Sequence, residues 1–375
     1  MVRTAILSVS APGSVLARKL KQWYGREADL YLDRGHAEDL SETFVYDLPL
    51  KPVIANLFHS YDALVLFLPL GAVVRLISSC LESKLSDPAV ICVDDSGMFA
   101  ISVISGHVGG ADDICVTVAN ALGSAPVVTS ASYVLDTLAL DLIGKPYGWV
   151  VDSDPIDLTR ASAKVINGAT IGVFQDAGET YWIDETRAKG CAVQVFANMS
   201  ALLSSSVDVA LIVTDSEFDV RAFNRMASDK IAVLYHPPTL VVGMGCRRGV
   251  PEAELNDLLV HTFNENGLSI QSISSIATAD LKKDEPGLID LGLKYGISLV
   301  SYSKDQLNSV YASSQGSHTP ELQLMKSQKA FSLLGIWGVS EPAALMASGS
   351  SELVVGKTKA SRATIAIARK TYPVK

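Results

Sequence analysis

Thr239 to Leu259 reads TLVVGMGCRRGVPEAELNDLL, and this stretch decides the fold class. TLVV is apolar and β-prone, GMGCRRG is a glycine turn, and a helix follows. Pro251 suits the first helical turn, where a missing N–H costs nothing. Glu252 and Glu254 suit the positive end of the helix dipole. Leu255, Leu258, Leu259 and Phe263 recur at helical spacing and form the buried stripe. Strand, turn and helix in succession are the unit of an α/β sheet.

The pattern continues in both directions. Downstream, Ile297 to Tyr302 is a strand before the helix DQLNSVY, and Glu352 to Val355 and Ala363 to Ala368 are two more strands. Ser313 to Gln328 is polar and reads as an exposed loop. Upstream, Tyr147 to Pro238 is more polar, with turn clusters such as VDSDP and QDAGET and one clear strand, Val209 to Val213. His236-Pro237-Pro238 reads as a linker. The first part opens on the strand Thr4 to Val9. A helix from Ser14 to Trp23 follows, placing Val15, Leu16, Leu20 and Trp23 on one face. Asp62 to Leu68 is a buried strand before a helix from Ala72 to Ser83. Ala89 to Val93, Met98 to Ile104 and Pro126 to Thr129 are further strands, and Asp112 to Leu122 is a helix with Ile114, Val118 and Leu122 in register. The expected organisation is a Rossmann-like N-terminal parallel-sheet domain (1–146), a small α/β middle domain (147–238) and a three-layer α/β/α C-terminal domain (239–375).

Composition narrows the function. The 375 residues are 48% apolar and 19% charged, which is globular. Lys and Arg number 31 against 40 Asp and Glu, a net charge of −9. Such a chain is a poor match for nucleic acid or an anionic membrane, so an anionic ligand needs locally gathered cations. The longest apolar run, Ala63 to Val74, ends at Arg75 and contains Pro69 and Gly71, too short for a membrane span. The N-terminus has too short an apolar core for a signal peptide, so a soluble, cytoplasmic protein is expected. Cys80, Cys92, Cys115, Cys191 and Cys246 are odd in number, widely spaced and without a CxxC pair. That argues against a disulfide framework and a thiolate zinc site.

Five stretches can carry chemistry. In GMGCRRG, Gly243 and Gly245 let backbone approach a ligand, but Arg248 stands where a dinucleotide fingerprint needs its third glycine. Arg247 and Arg248 can grip carboxylates; the alternative is a tight turn with two solvated arginines. In SGHVGGADD, His107 lies between a strand and a helix and can serve as general base, hydrogen-bond donor or metal ligand, while Gly109 and Gly110 leave the helix N-terminus uncovered. The alternative is a plain glycine turn. In GVSEPAALMASG, Glu341 can be a general base or can hydrogen-bond a ligand amide; the alternative is a carboxylate facing its own helix dipole. VGKTK fails as a phosphate loop because the required earlier glycine falls on Ser351 and ELVV reads as a strand, which leaves Lys357 as a cationic contact. Asp94-Asp95-Ser96-Gly97 is best explained as a hairpin turn, with acid–base or magnesium chemistry as the alternative. No GxSxG, HExxH or EF-hand pattern occurs.

SGHVGGAD, GMGCRRG, GVSEPAALMASG and KTKASRATIAIARK, in this order, resemble the CbiG family of anaerobic cobalamin biosynthesis, with a C-terminal CobE/CbiG-like domain. The segment Thr129 to Asp141 resembles the family's TTATD stretch, but Tyr133 stands where an acidic residue is usual. The resemblance implies a carbon–carbon bond hydrolase that opens the lactone of cobalt-precorrin-5A and releases a two-carbon fragment as acetaldehyde, leaving cobalt-precorrin-5B. It implies an anionic cobalt-corrinoid substrate held by Arg247, Arg248 and Lys357. His107 would activate the water, with Glu341 as the second choice, and the N–H groups of Gly109 and Gly110 would stabilise the oxyanion. Gly243 and Gly245 would line the substrate. No cofactor and no metal of the protein's own are expected, because cobalt travels with the substrate. The expected partners are the substrate and either a second copy of the chain or other cobalamin-pathway enzymes in transient contact. The alternative is a non-catalytic corrinoid-binding or hand-over protein, which needs the arginines but no base.

Overall fold

The computed structural model describes residues 2–371 except 38–42, 84–85, 107–108, 131–136, 184–190, 228, 314–323, 329–330 and 333–334. The chain divides into two compact units, 1–142 and 143–375.

The first unit is one sheet built from β1 (Thr4–Ser8), β2 (Ala28–Asp33), β3 (Thr43–Tyr46), β4 (Ala63–Phe67), β5 (Ala89–Val93), β6 (Phe99–Ile104) and β7 (Ala125–Val127). Its order is β3-β2-β1-β4-β5-β6-β7, parallel except for the β5–β6 hairpin. β1, β4 and β5 are buried throughout, as strands covered on both faces must be. Helices Ala11–Tyr24 and Ala111–Leu122 cover one face through Ala17, Leu20, Cys115 and Val118. Leu50–Ser60 and Leu70–Ile77 cover the other through Ile54, Leu57, Val73 and Ile77. The DDSG turn joins β5 to β6 as expected: the Asp94 carboxylate accepts the Phe99 N–H at 2.7 Å, and Gly97 has φ 69°.

The first helix corrects the sequence reading. Its buried face is Gly13, Ser14, Ala17 and Leu20, while Val15 and Trp23 are 69% and 57% exposed. The Ser10 side chain caps the helix at the Gly13 N–H. Small residues at 13, 14 and 17 then let the helix lie close on the sheet. Leu16 and Leu20 pack on the core as expected, but hydrophobicity alone wrongly added Val15 and Trp23 to that face.

The second unit holds two sheets. The first comprises β8 (Val150–Val151), β9 (Ile171–Gln175), β10 (Val193–Phe196), β11 (Val209–Val213) and β12 (Ile231–His236), in the order β10-β9-β11-β12-β8. The other comprises β13 (Leu240–Cys246), β14 (Ile273–Ala279), β15 (Ser298–Tyr302), β16 (Leu353–Lys359) and β17 (Ala363–Arg369), in the order β15-β14-β13-β17-β16. Helices Glu252–Glu265 and Pro286–Tyr295 pack on one face of this sheet through Leu255, Leu259, Leu288 and Leu291. Lys304–Ser313 and Ser340–Ser348 pack on the other through Leu307 and Ala343, which makes three layers.

One expectation gains detail here and another changes. His236-Pro237-Pro238 joins β12 to β13, and His236 is fully buried, with Nδ1 2.8 Å from the Thr214 carbonyl. The segments on either side pack as one unit because Arg369 grips the buried Asp215 at 2.7 and 2.8 Å and the Thr239 hydroxyl donates to it at 2.7 Å. Gly243 and Gly245, expected in the turn, lie inside β13. A Cβ on Gly243 would stand 1.8 Å from the Ser340 carbonyl oxygen, so this glycine admits the helix Ser340–Ser348 and is buried away from any ligand.

Among the described residues no helix is long and apolar enough to cross a membrane.

Candidate functional site

In the first unit the sequence pointed to the turn after β6. Ser105 adopts φ 58° and its hydroxyl donates to the Asp87 carbonyl at 2.9 Å. Asp112, 4% exposed, accepts the hydroxyls of Ser102 at 2.7 Å and Ser130 at 2.6 Å. That carboxylate ties the start of the helix Ala111–Leu122 to both flanking segments. Gly110 has φ 78° at the cap of this helix, a conformation that favours glycine. A Cβ on Gly109 would stand 2.6 Å from the Ser105 Cβ. The turn itself therefore requires both glycines. His107 and Tyr133 lie outside the described residues.

The same end of this sheet carries Ser10, whose hydroxyl donates to Asp95 at 2.7 Å at the start of the first helix. Segments 8–14, 94–97 and 105–113 contain no lysine or arginine. A carboxylate beside the N-terminus of the first helix opposes a nucleotide phosphate at the place where dinucleotide folds seat one.

The second unit has the opposite character. A cavity of about 620 Å³ is lined by Gly245 in β13 and Arg247 just after it, Lys326 and Gly338 from the segment before the helix Ser340–Ser348, Lys357 and Lys359 on β16, and Arg362 before β17. Five cations line it, and no described lining residue is acidic. The backbone places them. Leu353 pairs with Ala368, Val355 with Ile367 and Thr358 with Ile365, so β16 carries an extra residue at each of two irregularities, the second a bulge at Gly356-Lys357. The Lys357 N–H donates to Glu341 Oε1 at 3.3 Å, and the Met325 N–H donates to Glu341 Oε2 at 3.0 Å. Glu341, 4% exposed, thus accepts amides of the chain itself, where the sequence suggested a ligand amide. Its role in the geometry is to fix the pocket wall.

Arg247 and Arg362 are joined by the Arg247 N–H donating to the Arg362 carbonyl at 2.9 Å. The Arg362 guanidinium is held by Glu254 at 2.9 and 2.5 Å. Lys326 lies 5.6 Å from the ring centre of Trp337, which stacks on Phe331 at 3.9 Å. Burial pushes the half-buried Lys357 ammonium below its ordinary pKa; Glu341 opposes that shift and Lys359 adds to it. Burial also pushes the Cys246 thiol up.

Arg247, Gly245 and Lys357 therefore come together. Arg248 does not join them. It lies among charges facing Glu285, whose carboxylate accepts the Gly249 N–H and pairs with Lys282 at 3.0 Å. Burial would raise the Glu285 carboxyl, but the Gly249 amide, Lys282 and Arg248 outweigh it and hold the group below its ordinary value. Lys326, Lys359 and Arg362 were missed in the sequence. The alternation Lys357-Thr358-Lys359 on a strand was the available signal for one of them.

Fold and pocket together define a multi-sheet α/β protein that presents a cavity lined by cationic side chains on its last sheet. Three segments match family models in order: 52–133 match Cobalamin synthesis G N-terminal, 138–237 match Cobalamin biosynthesis central region, and 240–368 match Cobalamin synthesis G C-terminus. The chain is 35% identical over 370 residues to the cobalt-precorrin-5A hydrolase of Priestia megaterium, covering 98% of this chain and 95% of that one. It is 27% identical over 295 residues to the cobalt-precorrin-5A hydrolase of Salmonella typhimurium, covering 78% and 77%. The crystal structure of CobE, a protein from the cobalamin biosynthetic pathway, is 30% identical over 36% of this chain and 91% of that chain, with a TM-score of 0.32. The chain belongs to the cobalamin synthesis G family.

Proposed function

We propose that this protein is a cobalt-precorrin-5A hydrolase. The observation that carries the reading is the 35% identity to the Priestia megaterium enzyme across 98% of the chain. The pocket supports it from the chemistry. A corrinoid precursor carries many acetate and propionate groups, and a protein of net charge −9 must meet them with gathered cations. Arg247 and Lys359 bind these carboxylates, and charge-assisted contacts of this kind are the stronger hydrogen bonds. Cobalt enters and leaves with the substrate.

The reaction has two parts. Water adds to the lactone carbonyl and the ring C–O bond breaks, which leaves a carboxylate and an alcohol. The alcohol then loses its proton, its carbon becomes the carbonyl of acetaldehyde, and the bond to the macrocycle breaks with its electron pair left on the macrocycle. His107 activates the water, and the amides after it, at Gly109 and Gly110, face the developing oxyanion. The protein works in the cytoplasm, on substrate received from other enzymes of the same pathway.

Anaerobic incubation with cobalt-precorrin-5A, with acetaldehyde followed by a coupled alcohol dehydrogenase, tests this. Many turnovers per protein are expected. A shifted visible spectrum without acetaldehyde would make the protein a corrinoid-binding or hand-over protein instead. His107→Ala is expected to abolish turnover and spare substrate binding. Normal turnover in that variant would move the water-activating base elsewhere.

A further inference from the structure

We propose that Lys357 is a catalytic residue of the second half-reaction: its amine takes the proton of the alcohol as acetaldehyde departs. The inference rests on the hydrolase reading above. It begins from the bulge. An extra residue in an edge strand re-aims a side chain, and bulges recur beside active sites for that reason. Here the bulge falls on Gly356-Lys357. The amide that it releases from the ladder is caught by the buried Glu341. Position 357 is thus fixed from behind by a carboxylate that is itself fixed by a second amide, at Met325.

The neighbours leave Lys357 apart from the other cations. Arg247, Lys326 and Lys359 are exposed, and the Arg362 guanidinium is held by Glu254. Lys357 is half-buried, and its ammonium makes no salt bridge among the described residues. The charged and titratable groups around it are Glu341 from the helix Ser340–Ser348, Lys359 on its own strand, Cys246 at the end of β13, Arg247 just after it, Lys326 and Arg362. Burial first, and Lys359 beside it, make the ammonium give up its proton more readily than an exposed lysine does, although Glu341 opposes them. Glu341, the nearby carboxylate, already accepts one amide on each oxygen.

The step balances without another reactant. The Lys357 amine accepts the hydroxyl proton, the carbon–oxygen bond becomes the aldehyde carbonyl, and the carbon–carbon bond breaks. The electron pair passes to the macrocycle, and the ammonium then returns the proton to it. Arg247 and Lys359 hold the carboxylates meanwhile.

The charge-conserving variant Lys357→Arg separates a proton acceptor from an anchor. An arginine keeps the cation but gives up no proton near neutral pH. Acetaldehyde release by K357R is expected to fall about 100- to 10,000-fold. Substrate affinity by spectral titration is expected to stay close to that of the unaltered protein. The unaltered protein should show a rate that rises with pH as the amine is freed, and K357R should lose that limb. Methylamine added to Lys357→Ala should restore part of the rate, which a misfolded variant cannot show. Turnover by K357R with the original pH profile would overturn the proposal and leave Lys357 an anchor. So would failure of every small amine to rescue K357A while its thermal unfolding is unchanged. An unaltered protein that releases no acetaldehyde would instead overturn the hydrolase reading itself.

Discussion

The turn after β6 and the cavity beside β16 are both built at strand ends next to a helix, yet their chemistry is opposite. The first gathers hydroxyls and carboxylates: Ser10 on Asp95, and Ser102 and Ser130 on Asp112. The second gathers Arg247, Lys326, Lys357, Lys359 and Arg362 around a single cavity. Each also buries one carboxylate with two donors, hydroxyls for Asp112 and backbone amides for Glu341. The contrast frames the proposed division of tasks. Under the proposed function the cationic cavity suits an anionic macrocycle, and the hydroxyl-lined turn, which carries no lysine or arginine, does not.

The comparison breaks most severely at Gly243. Gly243→Ala would set a methyl group 1.8 Å from the Ser340 carbonyl, against backbone that cannot yield without moving the helix. We expect a loss of about 3 kcal/mol or more in denaturant unfolding, with the cationic cavity lost alongside. A variant as stable as the original would mean that the helix Ser340–Ser348 does not seat there.

Asp112→Ala is the matching change in the first unit. It leaves two partly buried serine hydroxyls without their acceptor, a loss of about 2 kcal/mol by chemical denaturation. Carboxylate binding in the second unit should be unaltered. Weakened binding in that variant would show that the division of tasks is wrong.

The smallest effect sharpens the comparison inside the cationic region. Arg247 lines the cavity and Arg248 faces Glu285. Arg247→Ala should weaken substrate binding about tenfold, more at low salt than at high, since one charge-assisted contact is removed. Arg248→Ala should leave binding nearly unchanged. Spectral titration of both variants decides it, and the reverse order would place the carboxylates on the other side of the turn.

Much of the fold was legible because periodicity reports burial. Leu255, Leu258, Leu259 and Phe263 all lie on the buried face of Glu252–Glu265, and the DDSG turn is a turn. The strand reading of ELVV, which excluded a phosphate loop, also holds within β16. The failures share a cause. Val15 and Trp23 are large and apolar, but the helix Ala11–Tyr24 presents its small residues to the sheet, because close packing selects for size as well as hydrophobicity. Gly243 carried the right motif for the wrong reason, since a glycine that admits a helix and a glycine that admits a ligand look alike in a sequence.

The amino-acid order by itself determined the α/β class, the acidic balance that demands local cations, and the four motifs that pointed to the family. Those are properties of neighbours along the chain and of totals. Which cations share a cavity was decided only by tertiary structure. Arg247, Lys326 and Lys357 are far apart in sequence and meet because β13, β17 and β16 lie side by side with a bulge at Gly356-Lys357, and because Glu341 holds the Met325 amide next to Lys326. The separation of Arg248 from Arg247, adjacent in the chain, follows from the same geometry. Consecutive residues at the end of a strand point in different directions, and only the packed neighbours settle which of them faces the ligand.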